Sequence, residues 1–284
     1  MTALFRLLSY LPLWLLHAGG VALGWLAFLV SGSYRQRLLV HASLAGVGRN
    51  AWMRAVGEAG KLVAELPRLW LGPAVPVEWD GEQHIRAALA AGRGIVFLTP
   101  HLGCFEVTAQ AYAQRFGQSE RAMTVLYRAP RKAWLARLVV ASRARPGLHT
   151  VPATLAGVKQ LLKALKTGNC VGLLPDQVPP QHQGLWTPFF GKPAYTMTLS
   201  ARLALQADAT VLLAWGERLP WGRGYLVHVS PWAGVAHGSQ EQGLDADLEC
   251  AVRQINQAME ALILAHPSQY LWGYDRYKQP KEGG

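Results

Sequence analysis

His101 and Glu106 are the residues best suited to move a proton, in the stretch Thr99-Pro100-His101-Leu102-Gly103-Cys104-Phe105-Glu106. Residues 94–100 (GIVFLTP) form a short apolar run bounded by Gly and Pro, which predicts a buried strand. His101 then falls where the strand stops, and Glu106 in the first turn of the next helix. Histidine takes a proton readily near neutral pH. A neighbouring carboxylate would fix its tautomer and stabilise the imidazolium. Five residues apart on one helix, the two side chains would diverge by about 140°. They can meet only if the chain turns between them, and Gly103 permits such a turn. Taken alone, the spacing fits a structural histidine beside a capping glutamate equally well.

A second strand end carries polar residues: Leu174-Pro175-Asp176-Gln177, after the apolar run CVGLL. Asp176 and Gln177 either shape the same site or cap a loop. No G-x-S-x-G elbow occurs, which argues against a serine acyl-enzyme. No phosphate-binding loop, dinucleotide fingerprint or metal-ligand cluster occurs either, so no cofactor and no metal are expected. Cys104, Cys170 and Cys250 are far apart and odd in number, as for buried thiols in a reducing compartment.

The elements that must position these residues alternate. Helices are expected over 34–72, 81–91, 104–116, 131–142, 155–166, 197–206 and 244–265. Strands are expected over 94–100, 122–127, 170–174, 210–215 and 225–229. The pattern predicts an α/β fold with a central, mostly parallel sheet flanked by helices. In such sheets chemistry gathers at the carboxyl ends of the strands.

The chain of 284 residues is long enough for one large domain. Residues 7–30 contain no charged side chain and are long enough to cross a bilayer. Pro12 and the Gly19-Gly20 pair would also allow a kinked hairpin. We expect an N-terminal membrane helix within residues 1–33 and a catalytic domain over 34–284. Arginines at 35, 37, 49 and 54 place that domain on the cytoplasmic side. The formal charge of +11 favours anionic partners. The eleven tryptophans suit either a membrane interface or a core. Arg131, Lys132, Arg137, Arg143 and Arg145 form a basic cluster, either a docking patch or a solvated face. The dispersed basic residues and the apolar leader argue against nucleic acid.

Residues 94–233 resemble the lipid A late acyltransferases, the lauroyl- and myristoyl-type enzymes of the glycerophospholipid acyltransferase superfamily, whose hallmark is H-x-x-x-x-D/E. Residues 101–106 resemble the hallmark, Tyr127-Arg128 the second block, and Asp176-Gln177 the third. Residues 186–194 (WTPFFGKPA) and 270–278 (YLWGYDRYK) resemble the segments that follow. The resemblance implies an enzyme of the inner membrane facing the cytoplasm. Its donor would be acyl-acyl carrier protein and its acceptor a hydroxyl of an anionic glycolipid, a lipid A precursor. His101 would be the base, supported by Glu106. Arg128 would bind a phosphate or the oxyanion, with Asp176 and Gln177 also binding substrate. Residues 186–190 would line an acyl pocket or fill the core. Other acceptors, such as a lysophospholipid, an ornithine lipid or a phosphatidylinositol mannoside, fit the same site. A non-catalytic membrane protein is the alternative of a different class.

Overall fold

A computed structural model describes residues 2–117, 121–127, 139, 145–206, 209–232, 234 and 244–281. The N-terminal part is helical: α1 (Thr2–Leu8), α2 (Leu13–Val30), α3 (Gly32–Leu44), α4 (Arg49–Ala64) and α5 (Leu66–Leu71). Pro12 separates α1 from α2, because proline is tolerated just before a helix but not within one. The stretch 34–72, read as a single helical region, is therefore broken into three helices.

The remaining chain continues with β1 (Val77–Asp80), α6 (Glu82–Ala90), β2 (Ile95–Leu98), α7 (Phe105–Tyr112), β3 (Met123–Tyr127) and β4 (Leu148–Pro152). It then runs through α8 (Leu155–Lys166), β5 (Cys170–Leu173), β6 (Gly184–Phe189) and β7 (Lys192–Met197). It ends with α9 (Leu199–Gln206), β8 (Thr210–Arg218), β9 (Tyr225–Pro231) and α10 (Leu244–Ala265). Seven strands make one sheet in the order β1-β9-β8-β2-β5-β3-β4. All pairings are parallel except β8 with β9. The fold is thus α/β, with helices packed on both faces. Residues of α8 and α10 join one core cluster, and residues of α6 and α7 join the other. β6 and β7 form a separate hairpin, held to α10 by Asn256 Nδ2, which donates to the Pro188 carbonyl at 2.8 Å.

α2 is one helix long and apolar enough to cross a membrane, yet it packs along α4. The approach is close enough to need glycine. A Cβ added to Gly60 of α4 would lie 1.9 Å from the Gly20 carbonyl oxygen of α2, and one added to Gly24 would lie 2.1 Å from that of Val56. The expected boundary at residue 33 falls in the first turn of α3, and the α2–α4 packing runs across it.

Beneath this crossing lies a buried ionic cluster. Glu65 accepts from Arg218 Nη2 at 2.8 Å, from the Tyr225 hydroxyl at 2.9 Å and from His17 Nε2 of α2 at 3.1 Å. Burial alone would raise the Glu65 carboxyl, but the Arg218 charge and the hydrogen bonds outweigh it and hold it down to about 2.

Candidate active site

β2 and β5 are parallel neighbours, with Leu98 opposite Leu173. Each strand is followed by one further residue, a proline and then the polar residue. Three positions beyond that register pair lie His101 and Asp176, so the sheet delivers both side chains to the same edge. The two meet there. His101 Nδ1 lies 2.7 Å from Asp176 Oδ1, and the His101 backbone N–H donates to Asp176 Oδ2 at 2.8 Å. Gln177 Nε2 lies 2.9 Å from His101 Nε2.

These contacts define the tautomer of the neutral ring. Burial would raise the Asp176 carboxyl, but the facing His101, its two hydrogen bonds and the Arg276 charge hold it below the usual carboxylate range. An ionised carboxylate only accepts, so Nδ1 carries the ring proton and Nε2 presents its lone pair. The Gln177 amide then donates to that lone pair. In that tautomer Nε2 is the unprotonated ring nitrogen, 2.9 Å from the Gln177 amide.

The turn between the strand and α7 is fixed on every side. Gly103 has φ +57°, and a Cβ there would come 2.0 Å from the Gly216 carbonyl oxygen. Its N–H donates to the Gln269 carbonyl at 2.9 Å, and that of Cys104 to the Gly216 carbonyl at 2.7 Å. The C-terminal tail braces the same loop, the Leu271 N–H donating to the His101 carbonyl at 3.2 Å. Burial, then the charge of Asp176, pushes the Tyr270 phenol well up, so it stays a protonated donor beside that carboxylate. The buried Arg276 binds the Tyr195 carbonyl at 2.8 Å and supplies positive charge behind Asp176.

Glu106 lies elsewhere. α7 begins at Phe105, so Glu106 is at the second helical position, where a carboxylate suits the positive helix end. It is buried and accepts from Trp70 Nε1 of α5 at 3.3 Å. The imidazole's described hydrogen bonds go to Asp176 and Gln177, so the carboxylate on Nδ1 is Asp176 where Glu106 was expected. The Gly103 turn does bring the chain around, but the sheet register gives the neighbouring strand end the first claim on the ring.

Other expected residues divide. Arg128, Arg131, Lys132, Arg137 and Arg143 lie outside the described residues. Arg145 is half-buried and donates to the Leu69 carbonyl at 2.6 Å, a structural tie to α5. Residues 186–190 are part of the β6–β7 hairpin, where Phe189 is buried against the α10 side of the core. They do not line the apolar cavity next to the dyad. That cavity lies between α7 and the sheet and holds about 50 Å³ of free space. Its wall includes Thr99 and Leu174, two residues before His101 and Asp176. It also includes Phe105, whose ring meets that of His101 edge-on at 4.8 Å. Trp79, Ala109 and Val125 also line it. Among the described residues, no group of three or more His, Cys, Asp or Glu is arranged to hold a metal.

Three residues of this site were not singled out individually from the sequence: Tyr270, Arg276 and Ala109. The first two lie in the 270–278 block, and Ala109 shows nothing in sequence beyond an apolar helix face.

Comparisons with known proteins identify the family. Residues 56–279 match the family model described as bacterial lipid A biosynthesis acyltransferase. Over 204 residues the chain is 28% identical to a lipid A biosynthesis lauroyltransferase of Escherichia coli (strain K12), a match covering 72% of this chain and 62% of that protein. Over 206 residues it is 24% identical to a lipid A biosynthesis acyltransferase of Haemophilus influenzae (strain ATCC 51907 / DSM 11121 / KW20 / Rd), covering 72% of this chain and 60% of that one. The matches thus span about three fifths of the relatives' length.

Proposed function

The chain belongs to the bacterial lipid A biosynthesis acyltransferase family, and on that premise we propose that it transfers a fatty acyl chain from a thioester donor, acyl-acyl carrier protein, to a hydroxyl of a lipid A precursor at the membrane. The observation that carries this reading is the juxtaposition of a base and an apolar cavity. His101 Nε2 is held as a lone pair by Asp176, and the cavity wall starts at the neighbours of both residues. The hydrocarbon tail would enter by widening this cavity, which brings its carboxyl end to His101.

The acceptor hydroxyl replaces the Gln177 amide at Nε2 and gives its proton to the ring. Its oxygen attacks the thioester carbonyl. As the tetrahedral intermediate collapses, the carbon–sulfur bond breaks and the imidazolium proton passes to the leaving sulfur. Asp176 stabilises the imidazolium throughout. We assign Gln177 to the acceptor, Arg128 to a phosphate or the oxyanion, and Glu106 to support of the helix that carries Phe105. The excess of positive charge suits both an acidic carrier protein and a phosphorylated acceptor.

The direct test is mass spectrometry of lipid A from cells with and without this protein. The purified protein should also acylate a phosphorylated lipid A precursor with lauroyl- or myristoyl-acyl carrier protein. Unchanged lipid A together with no transfer in vitro sinks the reading, and transfer to a lysophospholipid alone reassigns the acceptor.

A chain-length prediction follows from the cavity wall. Ala109→Leu puts extra carbon into the cavity from α7 while keeping a strong helix former. It should lower kcat/KM for the longest accepted donor by about tenfold and spare donors shorter by two or more methylenes. A uniform loss across donor lengths would remove the cavity from the acyl path.

A further inference from the structure

α2 is apolar enough to span a bilayer, but it is tied down along its length. Gly20 and Gly24 press on α4, and His17 enters the Glu65–Arg218–Tyr225 cluster. Pulling α2 into a bilayer would strip His17 from its partner and leave a polar ring in hydrocarbon. The opposite face of the helix is bare, with Trp14 57% and Leu29 66% exposed. Apolar exposure continues onto Leu7 of α1 and Tyr10 just beyond it.

A second, distant segment joins this face. Trp221 lies in the turn between β8 and β9 and is 89% exposed, more than any other large hydrophobic among the described residues. Its φ of +61° is a conformation that bulky side chains rarely adopt. The turn abuts α2, since a Cβ on Gly222 would come 2.3 Å from the Trp14 nitrogen. It also lies at the catalytic edge of the sheet. β8 pairs with β2 up to Leu213, bridges Gly103 from Gly216, and continues to Arg218 before turning.

Charge identifies what this surface meets. The first 57 residues contain five arginines and no acidic residue. Arg6 and Arg223, next to the exposed aromatic residues, are themselves exposed. Tryptophan and tyrosine gather where hydrocarbon meets headgroups, and arginine is drawn to an anionic leaflet.

We propose that Trp221, with Leu7, Tyr10 and Trp14, inserts into one leaflet of an anionic phospholipid bilayer, and that α2 lies along that surface without crossing it. The wedge turns the His101 edge toward the bilayer, so a lipid-borne hydroxyl reaches Nε2 without leaving the membrane. The inference deepens the acyltransferase reading, but its binding measurements do not depend on turnover.

The test uses the full-length protein and vesicles of phosphatidylethanolamine and phosphatidylglycerol. Trp221→Ser should reduce co-flotation with vesicles by about tenfold, and Trp221→Phe should keep most of it. Transfer to a lipid A precursor in vesicles should fall in step for Trp221→Ser, while transfer to the detergent-dispersed precursor stays within about twofold. In a Cys250→Ser background, where Cys104 and Cys170 are buried, a polarity-sensitive dye on Trp221→Cys should be quenched by brominated lipid. Cysteines at Arg6 and Ser33, exposed positions that flank α2, should both react with an impermeant maleimide added outside the vesicles. Wild-type flotation of Trp221→Ser with an unquenched dye overturns the wedge. Labelling at one end only overturns the in-plane helix. A quenched dye on a protein that transfers no acyl chain leaves the wedge standing and removes the acyltransferase reading instead.

Discussion

His101→Ala is expected to lower acyl transfer by at least about 10²-fold, and up to about 10⁴-fold, with the fold intact. No other described imidazole takes its place between Asp176 and Gln177. Asp176→Asn should cost nearly as much, for a reason the geometry makes specific. An asparagine amide turned toward Nδ1 donates a proton, which forces the ring proton onto Nε2. The lone pair that must receive the acceptor's proton is then gone. The double variant should be little worse than His101→Ala alone, because an orienting group without its base has nothing to orient. Glu106→Gln should cost less than about tenfold, since the described hydrogen bond of Glu106 is to Trp70 and the described hydrogen bonds of the His101 ring go to Asp176 and Gln177. A His101–Glu106 relay predicts the opposite order, with Glu106→Gln severe and Asp176→Asn mild. Single-turnover rates on all four variants, with near-wild-type thermal unfolding as a control, decide between the two. More than about a tenth of wild-type turnover in folded His101→Ala removes His101 as the base altogether.

That comparison also shows what the sequence could and could not display. The five strands at 95–98, 123–127, 170–173, 210–218 and 225–231 were legible because they are apolar runs closed by turn residues. β1 (VEWD) and β4 (LHTVP) were not, being short edge strands with little apolar content that pair through the backbone. The hairpin of β6 and β7 was read only as a family block, because two prolines and a Lys interrupt its pattern. At the site, His101 and the Asp176-Gln177 pair were each visible as polar residues after a strand. Their contact was not, because it depends on β2 and β5 being neighbours, although 72 residues separate Leu98 from Cys170. A usable signal existed: both strands end in the same pattern of an apolar residue or threonine, a proline and a polar residue. Glu106, by contrast, is near His101 in sequence, and that nearness made it the expected partner. The role of His17 was hidden for a different reason, since within an apolar helix it reads as a polar exception until Glu65 is placed beneath it.

Arg218→Met is expected to destabilise the protein by about 3–5 kcal/mol, because it leaves Glu65 fully buried without its main counter-charge. The Tyr225 hydroxyl brings a hydrogen bond but no charge, and His17 does less than Arg218 to hold the Glu65 carboxyl down. Chemical denaturation in detergent gives the magnitude, and Tm should fall by about 10 °C. Adding Glu65→Leu should recover part of the loss, since an apolar pair no longer has a charge to desolvate. A double variant as unstable as the sum of the singles contradicts this account. The pH dependence supplies an independent reading. Glu65 is depressed from 4.5 to about 2 on folding, so its contribution is fully present above 4.5 and is lost as pH falls toward about 2. Removing Arg218 removes the largest opposing charge, so in Arg218→Met the stability should vary less over that window. The consequence reaches the active site through one residue. The Arg218 backbone N–H, which the substitution keeps, donates to Gln269 Oε1 at 3.0 Å, and the Gln269 carbonyl accepts from the Gly103 N–H at 2.9 Å, in the turn that follows His101. A loosened cluster should therefore make acyl transfer heat-sensitive at temperatures where the sheet is still folded. Arg218→Met with wild-type activity up to its own Tm would show that the His101 turn holds its geometry without this support.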